Sequence, residues 1–130
     1  MSKFALVHID TVKGGREFFK LEKDGVSEFD VFETEARCQY DSEMNSIYHR
    51  MVLVARGEQM PKTQYRQLKD GLKNVTEFEI KTKHLRVYCI IDVNSGNLVI
   101  TGGHKTDQKR DIRHFRNIAA EYLESKGAKK

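Results

Sequence analysis

A chain of 130 residues with 38% hydrophobic and 32% charged side chains can fill one core and fits a single domain over residues 1–130. No apolar run approaches the ~20 residues needed to span a bilayer. The opening Met-Ser-Lys-Phe-Ala-Leu-Val-His-Ile-Asp is too short in apolar residues for a secretory signal, and Cys38 and Cys89 form no metal or redox motif. These features predict a reduced, cytoplasmic protein with no membrane partner. The net charge of +4 is uneven: residues 78–130 hold 11 Lys and Arg against 6 Asp and Glu, whereas residues 1–77 hold 12 against 13. A basic C-terminal half points to a polyanionic partner, nucleic acid first.

In chain order, residues 3–9 read as a short strand, 11–15 as a loop and 17–22 as a second strand, closed by the turn signal Lys23-Asp24-Gly25. Ser27 and Asp30 stand at capping-box spacing, and Val26 and Val31 at that of a hydrophobic staple. A helix from Ser27 would bury Phe29, Phe32 and Ala36, although residues 28–32 also alternate as a strand would. Over residues 42–56, Met44, Ile47, Tyr48, Met51, Val54 and Ala55 form the stripe of a second helix, stopped by Gly57. Residues 58–74 read as a connection with the single proline, Pro61, four cations (Lys62, Arg66, Lys69, Lys73) and two anchors, Tyr65 and Leu68.

The remainder is β-rich. Residues 75–82 form a strand with Phe78 and Ile80 inward, and Lys83 and His84 turn the chain into the central strand that ends at Asp92. Its period of two sends Leu85, Val87, Cys89 and Ile91 to one face and Arg86, Tyr88 and Ile90 to the other. The first face calls for helical cover, and the second reads as open to a partner. Asn94-Ser95-Gly96-Asn97 makes a hairpin turn, residues 98–101 return, and Gly102-Gly103 lets the chain leave the sheet edge. A helix over residues 107–125 carries the stripe Ile112, Phe115, Ala119, Tyr122 and Leu123, followed by an Ala-Lys-Lys tail. Both helical stripes are expected to share one core with the sheet.

Candidate chemistry gathers at the start of that last helix. His104, Lys105, Lys109, Arg110, Arg113, His114 and Arg116 are opposed there by Asp107 and Asp111 alone. Cleaving RNA requires deprotonating a 2′-OH, stabilising the phosphorane and protonating the leaving 5′-oxygen, services that imidazoles and cations supply. Arg86 has the planar fork to clamp a phosphate, Tyr88 can stack on a base, and His104 is the candidate general acid or base. Lys81, Lys83, Lys109, Arg110, Arg113 and Arg116 are the candidate RNA-binding cations. No histidine set has metal-ligand spacing, no phosphate loop or nucleophile motif is present, and no cofactor is expected.

The run from Glu77 to Glu124 resembles the C-terminal half of RelE-like toxins of bacterial toxin–antitoxin systems. The resemblance is carried by Glu77-Phe78-Glu79-Ile80-Lys81, Leu85-Arg86-Val87-Tyr88, Val99-Ile100-Thr101-Gly102-Gly103-His104-Lys105 and Glu121-Tyr122-Leu123, with Met60-Pro61-Lys62 and Tyr65-Arg66 before them. It covers roughly residues 40–125. It implies an α+β fold: N-terminal helices packed on one face of a small, mostly antiparallel twisted sheet, plus a C-terminal helix. It further implies a ribosome-dependent endoribonuclease that cuts mRNA in the A site and is silenced by a cognate antitoxin. Arg86 matches the family's sheet arginine at the scissile phosphate, and Lys105 the basic residue after the last strand. The tyrosine that some members use near the start of the last helix has no match, and Asp111 or a neighbour lies in that region; either His104 replaces it, as in branches that use histidine, or the chain is not a nuclease. A related branch poisons DNA gyrase without cutting RNA, so a non-nuclease that binds a protein target or nucleic acid is the alternative.

Overall fold

Two strands, β1 (Phe4–His8) and β2 (Phe18–Lys23), open the chain in the computed structural model, which describes residues 2–127; the Ala-Lys-Lys tail lies outside these residues. They pair antiparallel. The predicted turn is a two-residue hairpin with Asp24 at φ 53° and Gly25 at φ 83°, the left-handed pair that suits strand twist. It leads to the two-residue β3 (Val26–Ser27), paired back on β2.

Helix α1 (Glu28–Ala55) begins where the cap predicts: the Ser27 hydroxyl accepts the Asp30 N–H at 3.1 Å. Residues 28–32 are therefore helical. The two predicted helices form one element bent at Tyr40, whose φ of −126° and ψ of 44° are non-helical. Val26 and Val31 are 54% and 62% exposed, so the expected staple buries little. Gly57, at φ 76°, ends the helix region.

Four more strands follow: β4 (Tyr65–Leu68), β5 (Thr76–Lys81), β6 (Leu85–Asp92) and β7 (Gly96–His104). A 3-10 turn (Lys105–Asp107) then enters α2 (Gln108–Gly127). β4 lies within the stretch expected to be a connection, because its exposed Arg66 and Gln67 give it no apolar alternation. The sheet order is β1-β2-β7-β6-β5-β4, with β3 on β2, and β2–β7 is the one parallel pairing among the described residues. The fold is thus α+β with a mostly antiparallel sheet and two helices. Strands precede the first helix, as the chain-order reading expects and unlike the N-terminal helices that the resemblance implies.

The helices lie on opposite faces of the sheet. Under α1, Phe29, Phe32, Met44, Ile47 and Met51 pack with Phe18, Phe78, Ile80, Leu85, Val87, Cys89 and Val99. Under α2, Phe115, Ile118, Ala119 and Tyr122 pack with Leu21, Tyr88, Ile90, Leu98 and Ile100. There are two cores, and the expectation of one is overturned. The face carrying Arg86 and Tyr88 is closed by α2: Tyr88 is 0% and Arg86 5% exposed. The near-continuous apolar run Val87-Tyr88-Cys89-Ile90-Ile91 is the pattern of a strand covered on both sides.

One bulge decides what faces what. Tyr88 opposes Thr101, but Cys89 opposes Val99, so Ile100 is the extra residue in β7. Leu98 and Ile100 face α2, and strict alternation would send His104 there too. The extra residue reverses the parity, as a one-residue slip must. Gly102 consequently faces α1 and Gly103 faces α2: an added Cβ would collide with the Phe32 ring at the former and with the Asp111 carboxylate at the latter. The Gly-Gly pair therefore does not release the chain from the sheet. It lets both helices approach β7 closely while the strand runs on to His104.

Candidate functional site

Arg86 is held as a structural residue. Its Nη1 donates to the carbonyls of Thr82 at 2.6 Å and Leu85 at 2.8 Å. Its Nε lies 3.9 Å from Glu79 and lacks a hydrogen-bond partner among the described residues. Glu79, 0% exposed, also accepts from Arg66 Nε at 2.6 Å and Gln108 Nε2 at 3.0 Å. Beside it, buried Glu77 accepts from Arg116 at 2.9 Å and from the Leu72 N–H at 3.1 Å. Alternation with inward Phe78 and Ile80 puts both glutamates on the opposite strand face, with no partner legible in the sequence. They are instead the anchors by which α2 and β4 are fixed to β5.

These contacts correct two expectations about RNA binding. Tyr88 stacks on Phe115 at 5.6 Å; burial and nearby Glu79 push its phenol above the usual range. It presents no ring to a base. Arg116, held by Glu77 and by the Lys69 carbonyl at 2.9 Å, is an internal counter-charge.

A shared phosphate would need Arg86 and His104 on one face of the sheet, and they do not converge. His104 stands opposite Leu85 and Arg86 opposite Gly103, which puts them on different faces. The His104 ring lies against α1, 6.2 Å from the Phe32 ring and 5.9 Å from Tyr40, with Nε2 3.0 Å from Glu35. There it meets a second imidazole that the sequence presented merely as a turn residue. His84 stacks on Tyr40 at 4.6 Å and 20°, and its Nδ1 lies 2.6 Å from Glu43. Burial pushes the Glu43 carboxyl up, but hydrogen bonds from Thr82 and His84 outweigh it and hold Glu43 below the ordinary carboxylate range. Leu85 pairs with His104, which brings the preceding His84 beside it; counted back in the sequence from a turn over residues 94–97, His84 would instead fall opposite Asp107. Nothing there placed the Tyr40 bend.

The remaining cations stay at the surface. Lys105 begins the 3-10 turn, and its backbone N–H donates to the His84 carbonyl at 2.8 Å. Lys83 is exposed in the β5–β6 turn, and Lys109, Arg110 and Arg113 are exposed on α2. Arg110 is partnered by Asp107 at 3.3 Å and Asp111 at 3.6 Å. Lys81 Nζ donates to the Lys62 carbonyl at 3.2 Å. Burial lowers the Lys81 pKa, and Arg86, Arg66 and Lys105 add to that against the pull of Glu79. Lys81 thus has Arg66, Arg86 and Lys105 as neighbouring cations at one end of the sheet.

Two open clefts flank this end. One, of about 730 Å³, lies between β4 and α2 with Lys62, Arg66, Lys69 and Arg116 on its walls. The other, of about 480 Å³, lies beside His104 between Phe32 and Glu35 of α1 and Arg110 and Asp111 of α2. Among the described residues there is no His, Cys, Asp and Glu group arranged to hold a metal ion, and no helix long and apolar enough to cross a membrane. Comparisons with protein-family models, curated proteins and solved structures gave no match.

Proposed function

We propose that this protein is the toxin component of a bacterial type II toxin–antitoxin system, a cytoplasmic, ribosome-dependent endoribonuclease that cuts mRNA. The observation that carries the reading is the cluster of cations at one end of the sheet, where Lys81 donates to the Lys62 carbonyl and lies within reach of the charges of Arg86, Arg66 and Lys105. The nearby acids Glu79 and Glu77 are engaged by Arg66 and Arg116. Such a surface attracts phosphates and is what an acidic antitoxin segment would cover. The mostly antiparallel sheet with a C-terminal helix agrees with the coarse architecture that the resemblance implies. The test is controlled expression in bacteria with mapping of mRNA ends. Growth arrest with cuts at A-site codons is expected.

The sealing of Arg86 and Tyr88 beneath α2 favours a second reading, a non-nuclease of the same fold that binds a protein target or nucleic acid. Growth arrest with intact mRNA would select it.

A further inference from the structure

We propose that His84 and His104, gathered on Tyr40 at the bend of α1, are the general base and general acid of RNA cleavage. This rests on the endoribonuclease reading above and relocates its chemistry from the Arg86 face to the α1 face. Four observations support it. Both imidazoles lie against one aromatic ring, at 4.6 Å and 5.9 Å. Each has one nitrogen engaged by a carboxylate, Glu43 for His84 Nδ1 and Glu35 for His104 Nε2, which fixes ring orientation and leaves the other nitrogen for a substrate. Their side chains keep 42% and 29% exposure, so both are reachable. Lys105 is tied to His84 through the backbone, its N–H donating to the His84 carbonyl at 2.8 Å.

The step balances without a further reactant. His84 Nε2 takes the proton of the 2′-OH, and the 2′-oxygen forms a bond to phosphorus. The bond from phosphorus to the 5′-oxygen breaks, and His104 Nδ1 delivers a proton to that oxygen. The products are a 2′,3′-cyclic phosphate and a free 5′-OH. The ammonium of Lys105 offsets the charge gathering on the phosphorane oxygens. Glu43 and Glu35 are positioning residues that act through the histidines.

The test uses the full chain with programmed bacterial ribosomes carrying end-labelled mRNA. His84→Gln and His104→Gln should each lower cleavage at least about a hundredfold while ribosome affinity stays within about twofold, since proton transfer acts in the transition state. An mRNA with sulfur in place of the bridging 5′-oxygen at the cut site separates the roles, because a thiolate leaves without a proton. It should restore cleavage by His104→Gln and leave His84→Gln impaired, an asymmetry that misfolding cannot produce. Undiminished cleavage of ordinary mRNA by either variant, or no selective rescue, overturns the assignment while the nuclease reading stands. Intact mRNA with the wild-type protein overturns both.

Discussion

Leu85 and His104 stand directly opposite each other across β6 and β7, so His104 belongs to the face of the α1 core and Arg86 to the face of α2. Arg86 therefore serves the fold. Arg86→Ala removes two hydrogen bonds to backbone carbonyls and a positive charge beside fully buried Glu79. Uncovering buried polar groups costs about 1–3 kcal/mol. Urea denaturation should show that loss, while cleavage per folded molecule stays close to wild type. A variant of normal stability that no longer cuts RNA would return Arg86 to the chemistry.

Burial on both faces makes the two sides of β6 equally expensive to hollow out. Leu85→Ala empties space under α1, and Ile90→Ala does so under α2. Each should cost about 2–5 kcal/mol. Because the two belong to separate clusters, the double variant should lose close to the sum. Denaturant midpoints of the four proteins check this. A cheap Ile90→Ala would mean that α2 does not seal its face.

The sequence made the strands and helices legible where one rule governed them. Ser27 capped a helix, Asp24-Gly25 turned a hairpin, and the Met44–Ala55 stripe lay on a core. Alternation also divided β6 correctly into Leu85, Val87 and Cys89 against Arg86, Tyr88 and Ile90. It could not say whether the second face was covered, since that depends on where α2 docks, a tertiary fact. The site suffered most, because one inserted residue, Ile100, reverses the direction of everything after it in β7. Buried Glu77 and Glu79 were hidden for a similar reason: their partners, Arg116 and Arg66, are distant in the chain.

Two carboxyls should pull stability in opposite directions with pH. Burial pushes the Asp92 carboxyl up, but Lys126 at 2.5 Å and the Asn94 N–H outweigh it, leaving a net lowering. A carboxyl lowered in the folded state contributes stability that is present above its unfolded value of about 3.9 and is lost as pH falls through the folded value. Asp111 is raised, chiefly by burial. Its protonated form is favoured on folding, so stability falls as pH rises through the window above about 3.9. Asp92→Asn should therefore destabilise at pH 7 and lose that effect in acid. Asp111→Asn should raise the melting temperature at pH 7 and gain nothing in acid. Thermal melts at both pH values decide, and equal responses at the two sites would contradict the signs.

The proposed function divides the basic surface into cations that would meet RNA and cations that hold the fold. Lys62, Lys105 and Lys109 are exposed; Lys81 donates to the Lys62 carbonyl and has Lys105 among its neighbouring cations. Arg116 is bound to buried Glu77 and to the Lys69 carbonyl. Binding of a labelled single-stranded RNA should weaken steeply with salt, and each phosphate contact removed should reduce the log–log slope by roughly 0.7. Lys62→Ala and Lys105→Ala should each reduce the slope by about that amount at unchanged stability. Arg116→Ala should instead leave Glu77 buried without its partner and cost about 3–5 kcal/mol, with the salt slope of the folded fraction unchanged. A reduced slope for Arg116→Ala together with normal slopes for both lysine variants would move the RNA path onto α2 and away from the end of the sheet.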